Sequence, residues 1–171
     1  MNSNLRPVKL LPAFKDYLWG GTKLKTEYNK KSNLDIVAES WELSEHKDGQ
    51  STVADGEYKG LTLSDYIDKI GKDKLGKNAL KFDYFPLLIK FIDAKKDLSI
   101  QVHPNDEYAL EHEGEYGKTE MWYIMECEEG AYLYYGFKHE ISKDELEKRI
   151  ADNTLTEVLN KVEVKKGDVF F

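Results

Sequence analysis

The stretch SIQVHPNDEYALEHEGEYGKTE, residues 99–120, decides how the rest of the chain is read. From Leu98 to His103 apolar and polar side chains alternate, and in a β-strand successive Cβ atoms point to opposite faces. Leu98, Ile100 and Val102 are expected on one face, with Ser99, Gln101 and His103 on the other. Pro104 ends that strand. Asn105 is placed to cap a short helical turn, with Asp106 and Glu107 at its positive end. A loop punctuated by Gly114 and Gly117 leads to a second expected strand, Lys118 to Met125, on which Lys118, Glu120, Trp122 and Ile124 share a face. If the two strands are neighbours, Gln101, His103 and Glu120 can converge on one divalent cation with Lys118 beside it. Imidazole, carboxylate and an amide carbonyl suit zinc, and iron or manganese also fit. The bland reading stands beside this one: polar residues on strand faces are more often simply solvated.

The chain has 171 residues, one domain's worth, able to bury roughly two-thirds of its unfolded surface. Charged residues make up 33% and the net charge is −7. An acidic balance repels phosphate chains, so nucleic acid is not an expected partner. A phosphorylated small molecule needs a few aimed Lys or Arg side chains instead. The single cysteine, Cys127, excludes an internal disulfide and fits a reducing cytoplasm. Met1 to Leu11 has no long apolar core, and no run approaches the ~18 residues that suggest a membrane span. The expectation is a cytoplasmic protein with no membrane partner.

Upstream, RPVKLLP (residues 6–12) is short, apolar and bounded by prolines, as an edge strand is. In FKDYLWGGTKL, Trp19-Gly20-Gly21 reads either as an aromatic plug beside a flexible turn or as a loop bordering a site; buried aromatics are usually packing. From Ile36 to Glu45, Val37, Glu39, Trp41 and Leu43 alternate with Ala38, Ser40, Glu42 and Ser44. Glu42 lies on the small, polar side, where a carboxylate is ordinarily solvated. His46 opens a loop and reads as surface. Asp55-Gly56 between STVA and EYKG signals a hairpin. Thr62 and Asp65 form a capping box for a helix to Ile70, with Leu63, Tyr66, Ile67 and Ile70 as its buried stripe and Gly71 as its stop. This helical insertion covers about 62–80, and GKDKLGKNALK (residues 71–81) reads as a mobile, solvated connection. Leu87 to Ala94 is nearly all apolar, as in a strand buried on both faces. Lys90 interrupts it, either snorkelling to the edge or held by a carboxylate or a phosphate.

Downstream, AYLYYGF (residues 131–137) reads as an aromatic strand. Ile141 to Ala151 carries Ser142 as N-cap, Glu145 closing the box and Ile141 stapling Leu146. Thr154 and Glu157 repeat the box. Val162 and Val164 alternate in a strand, Lys166-Gly167-Asp168 turns, and Val169 to Phe171 begins another. Strands outnumber helices, and the helices are inserted rather than alternating one for one. That order argues a mainly β sandwich or jelly roll, not a parallel α/β sheet.

SIQVHPND followed by GKTEMWYI resembles the signature of the type I phosphomannose isomerases, zinc enzymes of the cupin fold. FKDYLWGG, AESWELSEH, STVADGEYKG, FPLLIKFIDAKKDLSIQVHPND, YGKTEMWY and KKGDVFF extend the resemblance over most of the chain, in the family's order. It implies a cupin-like jelly-roll β-sandwich, residues 1–171 forming a single N-terminal catalytic domain. It implies metal ligands Gln101, His103 and Glu120, Gln101 being the less secure because the family varies there. Lys118 and Glu42 are implied near the chemistry, with Ser99, Lys90 and Lys118 orienting phosphate or sugar hydroxyls. In the family a further His ligand follows in a segment resembling Pro-x-Gly-x-x-His, and an Arg lies in the second half. This chain stops at Phe171, so the resemblance implies a truncated, inactive or weakly active form that self-associates through an unfinished strand edge.

The implied reaction interconverts mannose 6-phosphate and fructose 6-phosphate by removing a proton from carbon next to a carbonyl. Zinc would stabilise the charge that develops on the sugar oxygens. A metal-bound carboxylate such as Glu120 is a poor base, and Lys118 serves as one only if its pKa falls toward neutrality. Two other classes stand beside the isomerase. One is a metal-binding cupin module without catalysis, sugar-sensing or structural; the other is an iron-dependent cupin oxygenase. Metal analysis separates zinc from iron, and an isomerase assay separates enzyme from module.

Overall fold

A computed structural model describes residues 6–171; the Met1–Leu5 part of the N-terminal stretch lies outside the described residues. The chain divides into two compact units, Met1–Leu98 and Ser99–Phe171.

In the first unit β1 (Leu10–Leu11) and β2 (Ala13–Lys15) flank Pro12, which has no N–H for a ladder. The chain changes sheets there. After the short helix α1 (Lys23–Thr26) come β3 (Glu39–Leu43) and β4 (Thr52–Val53). Helix α2 (Leu63–Ile70) and β5 (Ile89–Ile92) follow. β1 pairs antiparallel with β4, Leu10 opposite Val53. β2, β3 and β5 form an antiparallel sheet in that order, with Trp41 opposite both Ala13 and Lys90. Helix α2 starts as its capping box requires: Thr62 Oγ1 accepts from the Asp65 N–H at 3.1 Å. Its buried Leu63, Tyr66 and Ile67 pack with Val53 into the core of this unit, each such side chain contributing about 1.5–3 kcal/mol.

Four expectations for this unit are corrected. β3 is central, so its small polar side is enclosed as well: Ser40 is fully buried beside buried Glu39 and Trp41. Among the described residues β5 has one neighbour, which makes it an edge, and Ile89 is half-exposed rather than buried on both faces. Asp55-Gly56 does not make a tight hairpin. Gly56 takes φ 77°, but the chain turns widely and returns through the Leu61 carbonyl, which accepts from Val53, and a single bridge from Thr52 to Thr62. The lysine- and glycine-rich connection is folded into two 3-10 turns, Lys72–Leu75 and Ala79–Lys81, anchored by buried Ala79.

In the second unit α3 (Asp106–His112) is followed by β6 (Trp122–Tyr123), β7 (Tyr132–Phe137) and α4 (Lys143–Ala151). β8 (Leu159–Glu163) and β9 (Val169–Phe170) complete it. β6 pairs with β9, Trp122 opposite Phe170, and β7 with β8, Leu133 opposite Val162, both antiparallel. Both expected caps form: Asn105 accepts from the Tyr108 N–H and Ser142 from the Glu145 N–H. The box at Thr154 does not: the Glu157 N–H donates to the Thr154 backbone carbonyl at 3.1 Å, and the Glu157 carboxylate accepts from Arg149 at 2.7 Å. Residues 98–103 belong to no ladder among the described residues, and the strand expected over 118–125 shortens to β6. Their alternation lacked a partner strand to hold it. Val102 is 91% exposed, so the apolar face expected there is not packed. The architecture is mainly β with a few inserted helices, and its strands form small antiparallel sheets and no closed barrel among the described residues.

Candidate metal and substrate site

The second unit brings the two halves of the opening stretch together through its backbone. The Lys118 N–H donates to the Pro104 carbonyl at 3.1 Å, and the Gly117 N–H to Asp106 Oδ1 at 2.9 Å. A Cβ at Gly117 would lie 2.4–2.6 Å from the backbone of residues 104–106. Only glycine lets the strand-entry segment cross the Pro104 turn this closely. That crossing carries Lys118 and Glu120 to His103.

His103 Nε2 stands 3.1 Å from Glu120 Oε2, and Lys118 Nζ is 3.1 Å from the same oxygen. The indole N–H of Trp122 donates to the other carboxylate oxygen, Oε1. The His103 and Glu120 side chains are each about a quarter exposed, so the cluster is reachable from solvent. Partial burial works against ionisation of Glu120. The hydrogen bonds from Trp122 and Lys118, and the positive charges of Lys118 and His103, outweigh it and hold the carboxyl below the usual carboxylate range.

Two donors bound to one tetrahedral zinc at ordinary bond lengths lie about 3.4 Å apart. The His103–Glu120 separation is close to that, and an imidazole with a carboxylate is a donor pair zinc takes, so these residues fit a metal. Gln101 is not drawn to them here: its Nε2 donates to Ser99 Oγ at 2.9 Å. No group of three His, Cys, Asp or Glu side chains suited to a metal occurs among the described residues, as follows for a set with one His, one Glu and one Gln.

The first unit holds the other candidates. Lys90 Nζ lies 3.0 Å from Glu39 Oε1, so of the alternatives open to it the carboxylate is the one present. Glu39 is buried, and its Oε2 accepts from the Trp41 indole at 2.6 Å. Sequence reasoning passed over Glu39 in favour of Glu42. The available signal was its pairing with Trp41 two residues on, the spacing that also links Glu120 to Trp122. Glu42 accepts from Ser40 Oγ and pairs with Lys30 at 2.6 Å. Trp19 stacks on Tyr17, and its carbonyl accepts from the Lys95 and Lys96 N–H groups, a packing role. His46 Nδ1 accepts from the Asp48 N–H and braces its own loop.

Residues 8–132 match the model of the catalytic domain of type I phosphomannose isomerase. The chain is 43% identical over 166 residues to a mannose-6-phosphate isomerase of Bacillus subtilis, covering 96% of this chain and 51% of the relative. It is 40% identical over 165 residues to the mannose-6-phosphate isomerase of Streptococcus mutans, with the same coverages. The crystal structure of the mannose 6-phosphate isomerase from Bacillus subtilis superposes with a TM-score of 0.86 at 40% identity, over 97% of this chain and 52% of that one. The mainly β, cupin-type expectation agrees with that neighbour. The chain spans about half the length of the curated relatives it matches.

Proposed function

Because this chain belongs to the type I phosphomannose isomerase family, we propose that it supplies the metal-binding part of an aldose–ketose isomerase acting on mannose 6-phosphate and fructose 6-phosphate. The observation that carries this reading is the meeting of His103, Lys118 and Glu120 on one carboxylate oxygen. The matched family region, 8–132, crosses from the first unit into the second, which supports treating the chain as one catalytic domain.

His103 and Glu120, with Gln101 once its amide turns from Ser99, would hold a zinc ion. Bound there, zinc would supply Lewis acidity toward the sugar oxygens. The chain's own residues do the rest. Lys118 is an ammonium beside Glu120, and it can present a proton at Nζ to the sugar oxygen that gains negative charge as the adjacent C–H is broken. Ser99 offers a hydroxyl, and Lys90, held by Glu39, a fixed cation for phosphate or sugar hydroxyls. Glu42, held by Ser40 and Lys30, is proposed as a carboxylate of the active-site neighbourhood. Cleavage of that C–H requires both a proton acceptor and stabilisation of the developing oxyanion. The setting is cytoplasmic, where phosphorylated sugars and a free Cys127 thiol are both at home.

The test is a coupled assay on mannose 6-phosphate with metal analysis of the same sample. Zinc-dependent turnover that disappears in His103→Ala supports the isomerase. Stoichiometric metal with no turnover favours the second reading, a metal-binding cupin module. Iron in place of zinc redirects the chemistry to oxygenation.

A further inference from the structure

We propose that Trp122 is a positioning residue for Glu120: its indole N–H occupies one carboxylate oxygen so that the other is presented to the metal. The inference rests on the metal reading above and deepens it. A glutamate side chain on a partly exposed segment can rotate, and its two oxygens are chemically equivalent until something distinguishes them. Here they are distinguished. Oε1 takes the Trp122 N–H, while Oε2 faces His103 and Lys118. Indole nitrogen is a donor only and does not titrate, so Trp122 can neither take Glu120's place as a ligand nor release it as pH changes.

The tryptophan is itself well held. It lies in β6 opposite Phe170, next to Tyr123 opposite Val169. The buried Ile124 follows, its N–H bonded to the Asp168 carbonyl. In extended backbone residues two apart share a face, which brings the indole to the carboxylate without any contact from a distant element.

The first unit repeats the device. In Glu39-Ser40-Trp41 the indole donates to Glu39 Oε2 at 2.6 Å, and Lys90 sits 3.0 Å from Oε1. In both places an indole takes one oxygen of a glutamate two residues earlier and a lysine engages the other. The recurrence in both units argues that Glu-x-Trp is a local means of orienting a carboxylate. Partners of this kind around a metal ligand are worth ~10–100-fold in affinity.

The experiment replaces Trp122 with 3-benzothienylalanine, which keeps the fused ring and exchanges the N–H for sulfur; Trp122→Phe and Glu120→Ala accompany it. Zinc affinity is measured by competition with a chelator, and the visible absorption of the cobalt(II)-substituted chain reports ligand geometry. The expected result is zinc binding weakened about 10–100-fold in both Trp122 replacements, with an altered cobalt spectrum in the isosteric one. Parent-like affinity and spectrum in that variant, while Glu120→Ala loses metal, overturns the role of Trp122 and leaves the metal reading standing. Equal affinity in the parent and Glu120→Ala overturns both.

Discussion

The imidazole of His103 lies 3.1 Å from the Glu120 carboxylate, although a helix and a glycine-bearing loop separate the two in the chain. If this pair is a metal site, His103→Ala removes half of it. Metal content after dialysis against zinc should fall from near one ion per chain to a small fraction. Elemental analysis of parent and variant decides; equal content would sink the assignment.

Lys118 shares that carboxylate oxygen without being a metal ligand. Lys118→Ala should therefore retain zinc while turnover drops by about 10²-fold or more, the range for a positioned acid–base group. The comparison requires an isomerase-active protein containing this chain. Undiminished turnover would reduce Lys118 to a solvated lysine and move attention to Glu42→Gln.

Gly117 makes the convergence possible, since any Cβ there collides with the Pro104–Asp106 backbone. Gly117→Ala should cost about 1–3 kcal/mol, as overpacking generally does, read by urea denaturation. Zinc affinity should fall as well, because the Lys118–Glu120 segment is displaced from His103. Parent-like stability together with parent-like zinc binding would show that the crossing is not needed.

Glu39 and Lys90 form a largely buried pair. Breaking one side leaves the other charge uncompensated, so Glu39→Leu alone should destabilise by about 3 kcal/mol. Lys90→Met combined with Glu39→Leu should cost clearly less than the two single changes summed. A double-mutant cycle in urea measures the coupling, and strict additivity would mean that the pair does not interact.

Tyr17 reports on the same buried charge. Desolvation by burial, and then the negative charges of Glu39, Asp48 and Asp16, raise its phenol above the ordinary value. A folded-state pKa above the unfolded one, about 10, means native structure favours the protonated phenol. The stabilisation is complete below the unfolded pKa and disappears as pH rises through the folded one. The difference in phenolate absorbance between parent and Tyr17→Phe should show a midpoint above that of free tyrosine. In a Glu39→Gln background the midpoint should move back down; no movement would exclude Glu39 as a contributor.

By itself the sequence determined what is settled within a few residues. Thr62 with Asp65, Asn105 with Tyr108 and Ser142 with Glu145 cap their helices as read, because a side-chain oxygen reaches an N–H three positions on whatever surrounds it. The shared face of Glu120 and Trp122 was equally legible. Tertiary structure decided the rest. Leu98 to His103 alternates like a strand yet has no ladder among the described residues, since a strand exists only through a partner that local alternation cannot supply. Glu39, not Glu42, became the buried carboxylate because β3 lies between two neighbours and Lys90 arrives from the strand beside it. His103 meets Glu120 because the glycine at 117 lets two backbones cross closely enough, a contact between distant segments that spacing along the chain does not specify.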